Sequence, residues 1–344
     1  DTSVDAARKS ACATFQGDTM RYLIAGAGAI GGYIGARMAL AGQDVTLFAR
    51  GAHLAAMQAC GLRILSTDGD FTVHPRVTGD LTEAGEPDVI FLGVKAHGLT
   101  ALAPQLKPLI REDTTVVGTQ NGIPWWYFPD MQLERVDPGG VIAASIDRKN
   151  VLASIVYFST DIVEPGVIRH NEGNRISLGE PDGSRSLRAR SVAEVLIKSG
   201  LRAPVTARIR HEIWVKVMGN VAFNPLSALT RATLAQMVRD PEVNRVIRGI
   251  MGEVETVAAK LGMELPVSIE QRIAGAEKVG EHKTSMLQDL EAGRPMELEA
   301  IAGAVVELGE RLGVPMPYTR TVYASTRLLD QISRGSNSGK GSIT

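Results

Sequence analysis

A lysine and two asparagines interrupt the otherwise apolar stretch WVKVMGNVAFNPL, which runs from Trp214 to Leu226. Lys216, Asn220 and Asn224 follow one another at steps of four, so on an α-helix they line one stripe. A buried lysine is costly unless something pairs with it, and its amine titrates easily once it loses water. The stripe is therefore either a lysine that snorkels to the surface with two hydrated asparagines, or the polar wall of a substrate cleft.

A glycine motif near the start of the chain predicts a dinucleotide site. The segment AGAGAIGGYIG contains Gly26-x-Gly28-x-x-Gly31 directly after the apolar strand RYLIA, where a helix begins. The first glycine allows a tight turn, the second lets the backbone approach a pyrophosphate, and the third lets helix and strand pack closely. The helix N-terminus attracts the anion, and we assign Ala29 and Ile30 to the same site. A glycine-rich turn without a ligand is the alternative.

The end of the second strand indicates which dinucleotide is bound. An NAD site usually has an acidic residue there to bind the ribose 2′-hydroxyl. Here the strand VTLF ends in Ala49 and Arg50, and an arginine suits a 2′-phosphate through charge-assisted hydrogen bonds. We therefore expect NADPH/NADP+. Lys95, which follows another apolar strand, is expected near the cofactor phosphates at the same edge of the sheet.

The order of strand and helix patterns predicts two domains. From Arg21 onward strands alternate with helices, which is typical of a parallel sheet covered on both faces, so residues 20–207 are expected to form an α/β Rossmann-type domain. The strand pattern then disappears, and residues 208–332 are expected to form an all-α domain.

Three other segments carry expectations of their own. The segment FTVHPRV is interpreted as one strand, and the aperiodic residues 125–150 as a long surface insertion. Residues 1–19 are expected to be a leader or a disordered extension, and residues 333–344 a disordered tail.

Composition limits the classes of function. The chain has 344 residues, is 44% hydrophobic and carries a formal net charge of -1, which gives no support for binding to nucleic acid or a membrane surface. Two cysteines make a disulfide scaffold improbable and favour a reducing cytoplasm. No apolar segment is long enough to span a bilayer, and the histidines and acidic residues show no metal-ligand spacing, so we expect no metal.

Three more polar residues complete a recognisable set. Asn121 ends a strand in GTQNG, Ser285 lies in KTSMLQD and Glu297 in RPMELEAI. With GAGAIG, VKA and W-x-K-x-x-x-N-x-x-x-N-P-L, these segments make the chain resemble the ketopantoate reductase (2-dehydropantoate 2-reductase) family from Met20 to about Asp330. The resemblance implies reduction of ketopantoate to pantoate with NADPH, and a helical C-terminal domain like that of 6-phosphogluconate dehydrogenase.

The resemblance also implies roles for individual residues. Lys216 matches the catalytic lysine that gives a proton to the ketone oxygen, and Glu297 matches the acidic residue that binds the substrate hydroxyl and orders the lysine. The remaining matches are substrate-binding residues, Asn121, Asn220, Asn224 and Ser285, and cofactor-binding residues, Gly26, Gly28, Gly31, Arg50 and Lys95; we also assign Asn121 to the cofactor site.

Several alternatives stay open at this point. Asn121 could serve a turn, Ser285 could cap a helix with Thr284 as its rival, and Glu297 could face water. The aromatics that follow Gly122 could reshape the pocket for another 2-oxo acid. A protein that senses NADP without turnover would use the same fold. Apolar arcs at 251–262 and 298–313 would suit either a homodimer interface or packing within the chain.

Overall fold

The computed structural model describes residues 20–338, with side chains described to residue 334. Residues 1–19, predicted to be a leader, lie outside the described residues. The sheet consists of nine strands: β1 Arg21–Ala25, β2 Asp44–Phe48, β3 Leu62–Ser66, β4 Phe71–Val73, β5 Arg76–Thr78, β6 Val89–Leu92, β7 Thr115–Gly118, β8 Val151–Glu164 and β9 Val167–Gly179.

The nine strands lie in the order β4-β3-β9-β8-β7-β6-β1-β2-β5. From β5 to β8 every neighbouring pair is parallel, as the alternation of strands and helices predicts. The long β8–β9 hairpin is antiparallel and extends the sheet at its other side. The carboxyl ends of β1, β2, β6 and β7 therefore meet at one edge, where ligands bind in doubly wound folds.

Helices cover the sheet because its strands are apolar on both faces. Along β1, Tyr22 and Ile24 belong to one buried cluster, while Leu23 and Ala25 belong to another. This alternation places successive side chains on opposite faces of the sheet. The helices of this part of the chain are α1 Ala29–Leu40, α2 Gly51–Cys60, α3 Ala96–Leu106 and α4 Leu187–Lys198.

The chain is helical from Ile209 to Ser338. Its elements are α5 Ile209–Thr230, α6 Leu234–Arg239, α7 Pro241–Lys260, α8 Ile269–Val279, α9 Ser285–Glu291, a π-helical turn Glu299–Gly303, α10 Ala304–Leu312 and α11 Pro317–Ser338. Helix α5 lies at the centre and packs against α7, α9 and α11. Trp214 on α5 is completely buried. Although Pro225 cannot donate a backbone hydrogen bond, α5 runs unbroken past it, because its neighbours Val221 and Ala222 are packed in the core.

The prediction of a surface insertion at residues 125–150 is wrong. Trp126, Tyr127, Ile142 and Ile146 are all less than 5% exposed and join the core shared with the helical part. The segment needs no sequence periodicity to be buried, because turn hydrogen bonds within the backbone and hydrogen bonds to side chains, rather than regular secondary structure, satisfy many of its backbone groups.

Two carboxylates hold this irregular segment in place. Asp137 accepts hydrogen bonds from the backbone N–H groups of Ile142 and Ala143, at 2.7 and 3.0 Å. Glu307 on α10 accepts from the N–H groups of Glu134 and Arg135, at 3.0 and 2.9 Å. The segment is therefore anchored both to itself and to the helical part.

The segment FTVHPRV is not one strand. It divides at His74 and Pro75 into β4, which pairs with β3, and β5, which pairs with β2 at the opposite edge of the sheet. Proline lacks the N–H that a continuous ladder requires, and the break lets the chain cross from one edge to the other.

The predicted start of the tail at residue 333 falls inside α11, which is helical to Ser338; residues 339–344 lie outside the described residues. None of the helices in the described part of the chain is both long enough and apolar enough to cross a membrane.

Tyr127→Phe tests how firmly the irregular segment is tied to α5. The Trp214 indole N–H donates to the Tyr127 hydroxyl at 2.8 Å in the core, and the change leaves this buried donor without a partner. We expect the free energy of unfolding to fall by about 1–3 kcal/mol in urea titrations. Tyr318→Phe, at a 43% exposed tyrosine, is the control and should change it by less than about 0.5 kcal/mol. Equal effects of the two changes would contradict the role of the Trp214 bond.

Candidate active site

The glycine motif forms a tight turn between β1, β6 and α1. Gly26 has φ +109°, and a Cβ atom there would lie 2.7 Å from the Val94 backbone nitrogen. A Cβ at Gly31 would lie 3.0 Å from the Gly93 Cα, so the third glycine lets α1 pack on the sheet. The space beside Gly28 is more open, since the nearest atom to a Cβ there is 3.8 Å away. These three environments fit the three roles that the motif predicts.

The N-terminus of α1 is suited to an anion. No side chain of residues 20–334 caps it, and its first turn carries no acidic residue. The backbone N–H groups of Ala29 and Ile30 belong to the first turn, whose donors have no partners within a helix. Together with the positive end of the helix dipole, they fit the pyrophosphate of a dinucleotide.

Arg50 lies where the sequence predicts it, at the end of β2 and the start of α2. Its guanidinium carbon is 5.3 Å from the centre of the Phe48 ring, and the side chain is exposed. The Phe48 carbonyl accepts from the N–H of Ala27 at 2.7 Å, which ties this strand end to the glycine turn. A guanidinium is thus available beside the turn, at its outer side.

Lys95 has a partner that the sequence does not reveal. Its ammonium forms an ion pair with Asp289 on α9, so it links the sheet to the helical part. Asp289 also pairs with Arg294 at 3.2 Å. Lys95 borders the same cleft as the glycine turn, but its charge is shared with the opposite wall.

One cleft of about 840 Å³ brings together most of the predicted residues. It lies between the carboxyl edge of the sheet and the helical part. The predicted residues that line it are Gly26, Gly28, Ala29, Ile30, Lys95, Asn121, Lys216, Asn220, Asn224, Ser285 and Glu297. Gly31 and Arg50 are not among its walls, because Gly31 lies on the side of α1 that packs against the sheet and Arg50 lies beyond the end of β2.

Lys216 is partly buried in this cleft. Its Nζ donates to the Val156 carbonyl on β8 at 2.7 Å and lies 5.7 Å from the centre of the Tyr157 ring. Burial lowers the pKa of the amine from 10.5 to about 8; Glu297 opposes this fall, and Arg272 adds to it. The desolvation and the opposing carboxylate are the two effects that the sequence predicts.

Glu297 bridges the two parts of the chain. One carboxylate oxygen accepts from the Ala96 N–H at the start of α3, at 3.0 Å, and the other accepts from the Asn121 side-chain amide at 3.1 Å. A carboxylate at a helix N-terminus is favourable, because it meets unpaired N–H groups and the positive end of the dipole. The bridge rules out a freely solvated Glu297 and gives Asn121 a contact beyond the turn.

A π-helical turn follows Glu297 and completes the bridge. The Ala300 carbonyl within it accepts from the Ile123 N–H at 3.0 Å. Gly122 has φ +94°, and a Cβ there would lie 3.0 Å from the Ile301 nitrogen, so only glycine lets the two segments approach this closely. The chain after Asn121 and the chain after Glu297 are therefore held together by backbone contacts.

The remaining polar residues of the stripe face the same cleft. Asn224 is 5% exposed, and Asn220 lies one turn from it and from Lys216. Thr284, not Ser285, caps α9 by accepting from the Leu287 N–H at 3.2 Å. The helix cap is therefore Thr284. Ser285 is exposed on the cleft wall, where its hydroxyl is available to a ligand.

Arg272 on α8 is a cleft residue that the sequence reasoning missed. Its Nε is buried and has no hydrogen-bond partner among the described residues. Burial lowers the pKa of the guanidinium, and Tyr157 opposes that fall. The available signal was its spacing, since Arg272 precedes the buried Ala276 by four residues and so shares its helix face.

A second, small cavity of about 40 Å³ lies behind Lys216 and Asn121. Its apolar walls include Trp125, Ile213 and Val217. Among the residues that the structure describes, no group of three His, Cys, Asp or Glu side chains is placed to hold a metal ion.

Lys216→Met tests how strongly the site desolvates the amine. The folded-state pKa is about 8 and the ordinary value is 10.5, so between these pH values the unfolded chain keeps a proton that the folded chain releases. The free energy of unfolding of the wild type, relative to Lys216→Met, should therefore rise with pH in this window, by up to about 1.4 kcal/mol per pH unit. Below about pH 8 the stability advantage of Lys216→Met over the wild type is at its largest. Urea titrations of both proteins across the window measure the difference, and a constant difference would contradict the desolvation.

Comparison with known proteins agrees with the geometry. The family model for the C-terminal part of ketopantoate reductase PanE/ApbA matches residues 208–330, and the model of ketopantoate reductase PanE/ApbA itself matches residues 22–183. The 2-dehydropantoate 2-reductase of Mesorhizobium japonicum is 47% identical over 325 residues, which cover 92% of this chain and 99% of that protein.

Solved structures show the same fold. A crystal structure from Ralstonia solanacearum matches with a TM-score of 0.88 at 40% identity, covering 92% of this chain and 99% of the other. The 2-dehydropantoate 2-reductase of Methylococcus capsulatus matches with a TM-score of 0.79 at 32% identity, covering 91% and 98%. Sequence and fold thus agree on the family of the chain that carries the glycine turn, the polar stripe and the Glu297 bridge. The protein is a member of the ketopantoate reductase family.

Proposed function

We propose that the protein reduces 2-dehydropantoate to pantoate with NADPH, and that Lys216 donates the proton. The main support for this proposal is that Lys216 and Glu297 line the same cleft as the glycine turn. The family and its curated relatives support a nicotinamide-dependent oxidoreductase of this type.

The reaction joins a hydride to a carbon and a proton to an oxygen. When bound, a reduced nicotinamide would supply the hydride to C2 of the substrate, and the π electrons of the C=O bond would then move to the oxygen. The Lys216 ammonium stabilises this charge and then transfers its proton to the oxygen. Its hydrogen bond to the Val156 carbonyl fixes the direction of the amine, and its pKa of about 8 keeps it protonated but acidic near neutral pH.

Glu297 and the asparagines position the substrate. The Glu297 carboxylate is held by Ala96 and Asn121, yet a carboxylate has about four acceptor sites, so it can also accept from the substrate hydroxyl. Asn220, Asn224 and Ser285 lie on the same walls and offer amide and hydroxyl groups to the substrate. These roles follow from the resemblance, and the shared cleft supports them.

The small cavity beside Lys216 and Asn121 suits a methyl-sized group, because its volume is about 40 Å³. Trp125 forms part of its wall. We propose that a methyl group on C3 of 2-dehydropantoate enters this cavity while the rest of the substrate lies in the cleft of about 840 Å³.

Arg50 supports NADPH as the reductant, because a guanidinium at the end of β2 suits a 2′-phosphate. We place the reaction in the cytoplasm, whose reducing conditions suit a chain with only two cysteines. A homodimer remains a prediction. The apolar arcs at 251–262 and 298–313 give it no support, because Val254, Val257 and Val305 are completely buried within the chain.

Lys216→Ala separates catalysis from cofactor sensing. We expect kcat to fall by about 100- to 10,000-fold, because the proton donor is lost, while the dissociation constant of NADPH stays nearly unchanged. Steady-state kinetics and fluorescence titration of NADPH measure the two quantities. Lys198→Ala, at an exposed lysine on α4, is the control and should match the wild type. A variant that keeps full turnover would contradict the role of Lys216, and a wild type that binds NADPH without turning over any 2-oxo acid would favour a sensor.

Arg50→Ala tests the choice of dinucleotide. Loss of charge-assisted hydrogen bonds to the 2′-phosphate should raise the KM for NADPH by about 10- to 100-fold and leave the KM for NADH nearly unchanged. Arg190→Ala, at an exposed arginine on α4, serves as the control. If the KM values for both dinucleotides rose equally, Arg50 would not read the phosphate.

A further inference from the structure

The guanidinium of Arg272 occupies a space that exists because residue 219 is glycine. An ideal Cβ at Gly219 would lie 2.5 Å from the Arg272 Nε and 2.6 Å from its Cζ. The side chain of Arg272 therefore crosses from α8 to lie directly on the backbone of α5. Gly219 is three residues after Lys216, so the guanidinium lies beside the neighbouring turn of the polar stripe.

No side chain in the described part of the chain forms an ion pair with Arg272, and its buried Nε has no hydrogen-bond partner there. Tyr157 is its electrostatic partner, but burial raises the pKa of the Tyr157 hydroxyl, so that group is neutral near pH 7. A guanidinium that is held in a cleft without an anion from its own chain is costly to bury.

Arg272 and Lys216 lie in the same cleft, so one small ligand with two neighbouring polar groups can contact both. Both side chains line the cleft, and the two cations are close enough for Arg272 to lower the pKa of Lys216. In a 2-oxo acid the carboxylate and the ketone oxygen are on adjacent carbons, so a carboxylate at one cation presents the ketone oxygen to the other. A guanidinium binds a carboxylate through two parallel hydrogen bonds, which fixes its plane.

We infer that Arg272 is the anchor for the substrate carboxylate. This inference rests on the proposed function and deepens it: the site selects 2-oxo acids over their uncharged esters and amides, and the anchored carboxylate turns the C2 ketone towards Lys216. The resemblance assigns the binding of the substrate carboxylate to the amide groups of asparagines and the hydroxyl group of Ser285, which carry no charge. Arg272 adds the full positive charge that discriminates an acid from an ester.

Arg272→Gln and Gly219→Ala both test the anchor. The first removes the charge; the second keeps it but pushes the guanidinium off the backbone of α5, while a helical Gly→Ala change should by itself favour folding. We expect both to raise the KM for 2-dehydropantoate by about 30-fold or more and to leave the dissociation constant of NADPH unchanged. Arg175→Gln, which removes another guanidinium that lies 3.8 Å from the Tyr157 ring centre, is the matched control and should leave the KM unchanged.

Two further readouts separate an anchor from a merely structural arginine. The preference of the wild type for the acid over its methyl ester should collapse in Arg272→Gln, because the ester KM does not depend on the guanidinium. The fall of kcat at alkaline pH should move to higher pH, since Glu297 and Tyr157 remain near Lys216 while one cation is lost. An unchanged KM in Arg272→Gln, or an equal loss with acid and ester, would overturn the inference.

A binding measurement keeps this inference separate from the proposed reaction. If the wild type turned over no 2-oxo acid, calorimetry of oxalate and oxamate with the NADP+-saturated protein would still report on the anchor. Binding that is present in the wild type and in Arg175→Gln but lost in Arg272→Gln would uphold it. Binding that survives in Arg272→Gln, or is absent from the wild type, would overturn it.

Discussion

The two hydrogen bonds that the Glu297 carboxylate accepts hold the site together. They fasten the helical part of the chain to the start of α3 and to Asn121, at the edge of the sheet where the glycine turn lies. The same carboxylate opposes the fall of the Lys216 pKa that burial causes. A single negative charge therefore joins the two walls of the cleft and limits the fall of the Lys216 pKa that burial causes, so the architecture and the proposed chemistry both depend on Glu297.

The rest of α5 makes this balance possible. Trp214, Met218 and Ala222 are completely buried, so packing on the other faces of the helix holds Lys216 in its position on the cleft wall. A rigid, apolar surrounding is what lowers the pKa of an amine from its ordinary range. Burying Lys216 costs the fold stability, but it also lowers the pKa of the amine, so that its proton is more easily released near neutral pH. The well-packed residues of α5 offset this cost, as is common at functional sites.

Local patterns were sufficient to predict the glycine turn and the polar stripe, because the conformation at Gly26 and the helical spacing from Lys216 depend on neighbours a few residues away. The failures all depend on contacts between distant segments. FTVHPRV has the composition of one strand, and only the pairing of its halves with β3 and β2 divides it. The segment 125–150 has no period, so its burial could not be read from the sequence. Arg272 and the pairing of Lys95 with Asp289 likewise become visible only when α8 and α9 meet the cleft.

The proposed reaction in this cleft is the reduction of the ketone of 2-dehydropantoate. The most direct measurement is NADPH oxidation by the purified wild-type protein with 2-dehydropantoate, beside a panel of other 2-oxo acids and an NADH control. We expect efficient turnover of 2-dehydropantoate with NADPH and a preference for NADPH over NADH. Turnover of another 2-oxo acid instead of 2-dehydropantoate would keep the mechanism and contradict the proposed substrate. Tight NADPH binding without NADPH oxidation in the presence of any of the acids would contradict both the reaction and the role of Lys216.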